Sequence, residues 1–235
     1  MNGKWLAFLI ALVLILATGC WRTAPETTPA STSESASKPR YFSTQSFNHV
    51  GDRAQYDFTL ELPGCSQEGK ISIEGTDETV LDGEEVLVIS WVLDITKEFK
   101  NETSTSSVPM KVWANAEGEI VRGEVRNEVK SGIGIEKYLV VPYFASRDIS
   151  SGDRFTISGA SLGEGEIELI AHSNESVSTP AGTFSAMRLT TSDTLDLTIY
   201  VSPDVPGGII KLDMEKGGEQ GELRNIVLTS YHDAT

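Results

Sequence analysis

Only two cysteines, Cys20 and Cys65, occur among 235 residues, and the three histidines stand far apart at His49, His172 and His232. A disulfide-stapled scaffold is therefore excluded, and no His, Cys or carboxylate cluster shows metal-ligand spacing, so neither a metal nor another cofactor is expected. Basic residues are scarce as well: 19 Lys and Arg face 34 Asp and Glu, for a formal charge of −15. Such a surface repels phosphate backbones and anionic headgroups, which removes nucleic acid as an expected partner. The acidic groups Asp82-Gly83-Glu84-Glu85 and Asp193 with Asp196 lack the alternating oxygen ligands of a calcium loop, so the acidity reads as a solubility device. Missing too, beyond residue 40, is any sustained run of apolar residues at helical spacing.

A single long apolar run is present, at residues 5–17, and it leads directly into Leu16-Ala17-Thr18-Gly19-Cys20. It is too short for a comfortable bilayer crossing, which takes about 20 apolar residues, and it carries one preceding charge, Lys4. The pattern reads as a lipobox: residues 1–19 form a lipoprotein signal peptide, and the Cys20 sulfur is the expected lipidation site. Alanine three positions before the cysteine is a mild departure from the usual leucine. Two or three acyl chains on such a cysteine hold a chain at a membrane durably, where one holds it only marginally. Cleavage there removes Lys4 alone and leaves 18 basic against 34 acidic side chains, a formal charge of −16. Cys65 then has no partner for a disulfide, and its setting, Leu62-Pro63-Gly64-Cys65-Ser66, is a turn.

Residues 21–40, WRTAPETTPASTSESASKPR, are Ser, Thr, Pro, Ala and Glu with no alternating pattern, and read as a disordered linker. Twenty such residues set the folded body about 25 Å from the lipid. From residue 41 to 235 the apolar positions recur every second residue: Tyr56, Phe58, Leu60 and Leu62 against Asp57, Thr59 and Glu61; Ile71 and Ile73 against Lys70, Ser72 and Glu74; Leu195, Leu197, Ile199 and Val201 against Asp196, Thr198 and Tyr200. The expected fold is all-β, an antiparallel sheet of roughly a dozen strands, open or half-barrel-like, with few helices. The polar segment 97–109, rich in Ser and Thr, reads as a long surface loop.

Within this body two halves, about 47–130 and 149–230, share an ordered set of matches. Gly51-Asp52-Arg53 recurs as Gly152-Asp153-Arg154, Gly69-Lys70-Ile71-Ser72-Ile73 as Gly165-Glu166-Ile167-Glu168-Leu169, and Lys111-Val112-Trp113 with Ile120-Val121-Arg122 as Thr198-Ile199-Tyr200 with Ile209-Ile210-Lys211. The segment 97–109 has no counterpart in the second half.

The stretch Glu175-Ser176-Val177-Ser178-Thr179-Pro180-Ala181-Gly182-Thr183-Phe184-Ser185-Ala186-Met187-Arg188-Leu189, followed by Ile199-Tyr200-Val201-Ser202-Pro203-Asp204-Val205-Pro206-Gly207-Gly208-Ile209-Ile210-Lys211, resembles the TapB-like secreted proteins. In that family a Pro-Ala-Gly-Thr-Phe turn joins two strands. The resemblance covers about residues 165–215 and reaches the first half only through the repeat, where Leu81-Asp82-Gly83 stands in place of Pro-Ala-Gly. It implies a β domain loosely like the half-barrel carriers of lipids and lipoproteins, and it brings no catalytic residue with it.

Gly159-Ala160-Ser161-Leu162-Gly163 has the form of a nucleophile elbow, with Asp193 or Asp204 and then His232 in the chain order of a hydrolase triad. An elbow requires a strand turning into a helix, whereas residues 164–172 read as another strand, so the match is taken as coincidental. His172 shares a strand side with Glu166 and Glu168 and reads as a surface histidine; Glu84 and Glu85, adjacent on a strand, point to opposite faces. Trp91, Trp113, Tyr138, Tyr143 and Phe144 read as packing residues before they read as a groove. Asn101-Glu102-Thr103 and Asn174-Glu175-Ser176 are glycosylation sequons. Together these readings imply a prokaryotic cell-envelope lipoprotein, extracytoplasmic and membrane-bound through Cys20, whose body is a non-catalytic interaction or structural module. The alternative is a carrier of a lipid or other apolar ligand in a half-barrel groove. Oligomeric state is left open.

Overall fold

The computed structural model describes residues 42–44, 47–62, 65–99, 102–116, 118–126, 128–131, 147–157, 167–191, 196–214 and 222–234. The signal peptide, Cys20, the linker, Asn101, Tyr138, Tyr143, Phe144, the 159–163 motif and Asp193 lie outside the described residues. The described strands all belong to one compact unit, Tyr41–Thr235.

Among the described residues every regular element is a strand, fourteen in all: β1 Phe42–Thr44, β2 Arg53–Leu62, β3 Cys65–Leu81, β4 Glu84–Phe99, β5 Glu102–Ala114, β6 Ile120–Val125, β7 Glu128–Ser131, β8 Arg147–Ile149, β9 Arg154–Ile157, β10 Ile167–Thr179, β11 Gly182–Thr191, β12 Leu197–Val201, β13 Ile209–Met214 and β14 Glu222–His232. β1 and β8 form a small antiparallel pair, Ser43 opposite Asp148. The other twelve make one antiparallel sheet in the order β7-β6-β5-β4-β3-β2-β14-β13-β12-β11-β10-β9. It is not closed into a barrel.

Period-two sequence sets which face is buried. Ala54, Tyr56 and Phe58 of β2 are 0–4% exposed, while Arg53, Gln55, Asp57 and Thr59 between them face solvent. Ile71 and Ile73 of β3, Ile89 and Trp91 of β4, Val112 of β5, Leu169 of β10, Leu189 of β11, Ile199 of β12, Leu212 of β13 and Ile226 of β14 continue the same face into one contiguous core. Burying each such side chain is worth about 1.5–3 kcal/mol relative to leaving it in water. The Tyr56 hydroxyl, inside this core, donates to the Ile209 carbonyl at 2.9 Å. Opposite Phe58 stands Gly69, and the Phe58 ring covers the space that a Gly69 side chain would take.

Turn chemistry fixes the hairpins. Asp82 and Gly83 take φ of 52° and 93° between Leu81 and Glu84, which are paired, as a two-residue hairpin with positive φ at both centres requires. The Pro180-Ala181 turn joins Thr179 to Gly182, and Phe184 beyond it is buried with its ring centroid 5.6 Å from that of Tyr231. The lead-in to β2 is tied to the carboxyl end through buried Asp52, whose Oδ2 accepts from the Asn48 and His49 amides at 2.9 Å and whose Oδ1 accepts from the Ala234 amide at 3.0 Å.

One expectation is corrected. Segment 97–109 is not a loop: β4 runs to Phe99 and β5 starts at Glu102, paired without a register shift from Phe99 opposite Glu102 to Leu87 opposite Ala114. Thr and Val favour a pleated ladder, and a ladder already held by the core extends past it at little cost.

Candidate functional site

The described residues do not assemble a catalytic constellation from the sequence candidates. His172 Nε2 lies 2.8 Å from the Thr190 hydroxyl on the neighbouring strand, half-buried. His49 and His232 are both exposed, one before β2 and one at the end of β14 opposite Arg53, on the two segments that Asp52 ties together. Asp204 sits in the β12–β13 turn, its amide 3.4 Å from the Ser202 hydroxyl, and Glu84 and Glu85 are both exposed beside the Asp82-Gly83 turn. Cys65 opens β3 opposite Leu62. Among the described residues no group of three His, Cys, Asp or Glu side chains is placed to hold a metal ion.

Aromatic candidates fall in two places. Trp91 is buried in the core at 1% exposure. Trp113 lies on the outer face of β5 beneath Arg122 of β6, whose guanidinium carbon is 4.8 Å from the ring centroid and whose Nη2 meets Glu124 at 2.8 Å. The same arrangement occurs on β12 and β13: Lys211 Nζ stands 5.9 Å from the Tyr200 ring centroid and 2.7 Å from Asp213. Burial, followed by Glu175 and Asp213, holds the Tyr200 phenol above its ordinary range. These aromatic, cation and carboxylate sets brace the outer face of the sheet.

What the sequence candidates miss is the far end of β5. Residues 102–107 are all exposed, and β6 reaches β5 only between Met110 and Ala114. From 102 to 108 the strand is paired on one side, by β4, and has no strand on the other among the described residues. The Arg126 amide donates to the Pro109 carbonyl at 3.1 Å, so the backbone groups of Pro109 face the β6 side. Backbone direction alternates along a strand, so the N–H and C=O of Thr103, Thr105 and Ser107 also face that open side. Pro109 has no N–H to offer there, as expected of a proline at an edge position. Alongside the edge an open depression of about 350 Å³ is lined by Asp94, Ile95, Thr96, Thr105, Ser106 and Ser107. The sequence signal for this feature is the Thr-Ser-Thr-Ser-Ser-Val run itself, strand-forming and polar at once.

The fold and this edge define an all-β protein with an open sheet and a polar strand end that, among the described residues, is paired on one side. No protein family and no curated protein matches the chain. Among solved structures, the crystal structure of a Bacteroides fragilis protein, described as exported and as having a YmcC-like fold, is similar at a TM-score of 0.35 and 12% identity, over 81% of this chain and 100% of that one. A likeness that distant carries no argument about function.

Proposed function

We propose that this chain is a cell-envelope lipoprotein, anchored through Cys20 outside the cytoplasm, whose β body acts by binding other envelope proteins and not by catalysis. The observation that carries the reading is the core. Side chains of both halves pack into one apolar cluster at 0–8% exposure, so the face that a lipid carrier would keep open is occupied by Ile71, Trp91, Leu169, Ile199 and their neighbours. Binding then belongs to the outside of the sheet and its edges.

The same reading takes the halves, about 47–130 and 149–230, as copies of one unit. Strands β2 to β7 and β9 to β14 follow one another in the same order along the sheet, with β2 joined to β14. Gly51 and Gly152, at φ of 102° and 96°, donate to the carbonyls of Gly75 and Ala171 at 2.8 Å, and Asp52 and Asp153 accept in return at 2.9 Å. Arg53 meets Glu74 at 2.6 Å and Arg154 meets Glu168 at 2.9 Å. Among the described residues the extended ends of β4 and β5 have no counterpart in β11 and β12, so this reading takes them as an elaboration of one copy.

Labelled palmitate fed to the native host tests the anchor: the wild-type chain takes up label and Cys20→Ser does not. A chain that stays unlabelled, or a Cys20→Ser chain that is labelled equally, overturns it. An environment-sensitive apolar dye tests the binding mode. The filled core predicts no saturable fluorescence gain, and stoichiometric dye binding would favour the carrier.

A further inference from the structure

We propose that residues 103–107 of β5 form a docking edge to which an extended, Lys- or Arg-bearing segment of another protein adds as a further antiparallel or parallel strand. The inference rests on the interaction reading above and gives it a location and a partner chemistry. Thr103, Thr105 and Ser107 each turn one N–H and one C=O away from β4, and such a row is the template for strand addition, with main-chain bonds supplying affinity and alternate side chains supplying selectivity.

Proteins commonly blunt exposed edges with Lys, Pro, a bulge or a very short strand. None of these devices interrupts 102–108: the run is ETSTSSV, and its pairing with β4 carries no register shift. The two terminal edges of the sheet, β7 and β9, are by contrast only four residues each. Solubility at the β5 edge is left to hydroxyl side chains, which do not obstruct an incoming backbone.

Charge selects the occupant. On the outer face Asp94, Thr96 and Glu98 of β4 stand opposite Ser107, Thr105 and Thr103, with Glu68 of β3 opposite Thr96. Asp94 also lines the depression beside the edge. A strand added to β5 runs about 10 Å from β4, within reach of a Lys or Arg side chain lying across β5 toward Asp94 or Glu98. The nearest described cation on that face, Lys70, is opposite Asp94, and Glu98 stands opposite Ser66. A second copy of this chain fits poorly, since each copy brings a charge of −15 to an edge already bordered by carboxylates.

The test uses the full chain in detergent with two blocked synthetic peptides, Lys-Thr-Val-Thr-Lys-Thr-Val and the same sequence with Glu for Lys, read by residue-resolved hydrogen exchange. The free chain shows fast exchange at Thr103, Thr105 and Ser107 and slow exchange at Ser104 and Ser106, whose amides face β4. The lysine peptide at about millimolar concentration slows the three outward amides roughly tenfold, and the effect weakens with salt. Thr105→Pro deletes the central outward donor at a position where the backbone owes nothing to β4, and weakens the peptide roughly fivefold or more. The paired change Asp94→Asn and Glu98→Gln, which leaves the backbone untouched, weakens it as well and keeps the inference testable if the proline variant fails to fold.

Unchanged exchange at the three amides overturns the proposal, and so does equal protection by the glutamate peptide. Protection that grows with protein concentration alone and vanishes in Thr105→Pro would assign the edge to a second copy instead. Protection by the lysine peptide at β7 or β9 would overturn the assignment to β5 while leaving the interaction reading standing.

Discussion

Asp52 and Asp153 show how one residue type carries unequal weight in two equivalent turns. Asp52 is 3% exposed and satisfies three backbone amides, those of Asn48, His49 and Ala234; Asp153 is exposed and bonds one, that of Ser150. Replacing Asp52 by Ala leaves three part-buried amide donors without their acceptor, and urea denaturation is expected to show a loss of about 1–3 kcal/mol against less than about 1 kcal/mol for Asp153→Ala. Tyr56 supplies a pH signature. Burial pushes its phenol above the ordinary tyrosine value, so the folded state holds a proton that the unfolded chain releases near pH 10. The contribution is complete below that pH and is lost progressively above it. Tyr56→Phe deletes the hydrogen bond to Ile209 at a cost of about 1 kcal/mol near neutrality, and its stability is expected to fall less steeply between pH 10 and 11 in the same denaturation assay. The alternation in β2 marks Tyr56 and Phe58 as inward from sequence alone, whereas the acceptor of the Tyr56 hydroxyl sits 153 residues away and no local pattern encodes it.

Strands were legible where one face is buried, because burial imposes the period of two. They were least legible where burial stops. The ends of β4 and β5 alternate between hydroxyl and charged side chains, so polarity alone reads as a loop, and only the register with the buried part of β4 shows a continuing ladder. Shortening this hairpin by replacing 97–104 with Asn-Gly removes mostly polar side chains together with half-buried Phe99, and is expected to change thermal stability by no more than about 1 kcal/mol, measured by calorimetry. Gly69 in β3 is the opposite case. A Cβ there meets the Asp94 carbonyl oxygen and falls 2.6 Å from the Phe58 ring, so Gly69→Ala forces two paired strands apart and is expected to cost about 2–3 kcal/mol in urea denaturation. The alternation from Lys70 to Glu74 marks a strand but says nothing of the ring that lies across Gly69.

At the scale of the whole molecule, the ordered matches between the halves and the all-β class could be read before any coordinate, since both are properties of pattern. The joining of β2 to β14 could not: it pairs residues 53–61 with residues 222–232, beyond the reach of periodicity. Because the core is one cluster fed by both halves, neither half has a complete interior of its own. Expressed separately, chains ending at 131 and starting at 147 are each expected to lack cooperative unfolding in circular dichroism, while the intact body unfolds in one transition. The same shared core underlies the proposed binding role, in which a partner engages the outer surface and the strand edge at Thr103, Thr105 and Ser107. Native mass spectrometry of the chain purified from its own host tests that account most directly. It predicts a polypeptide beginning at Cys20 with covalent acyl mass and no further apolar ligand, and it is contradicted by a chain that retains its start methionine or by a lipid held noncovalently in stoichiometric amount.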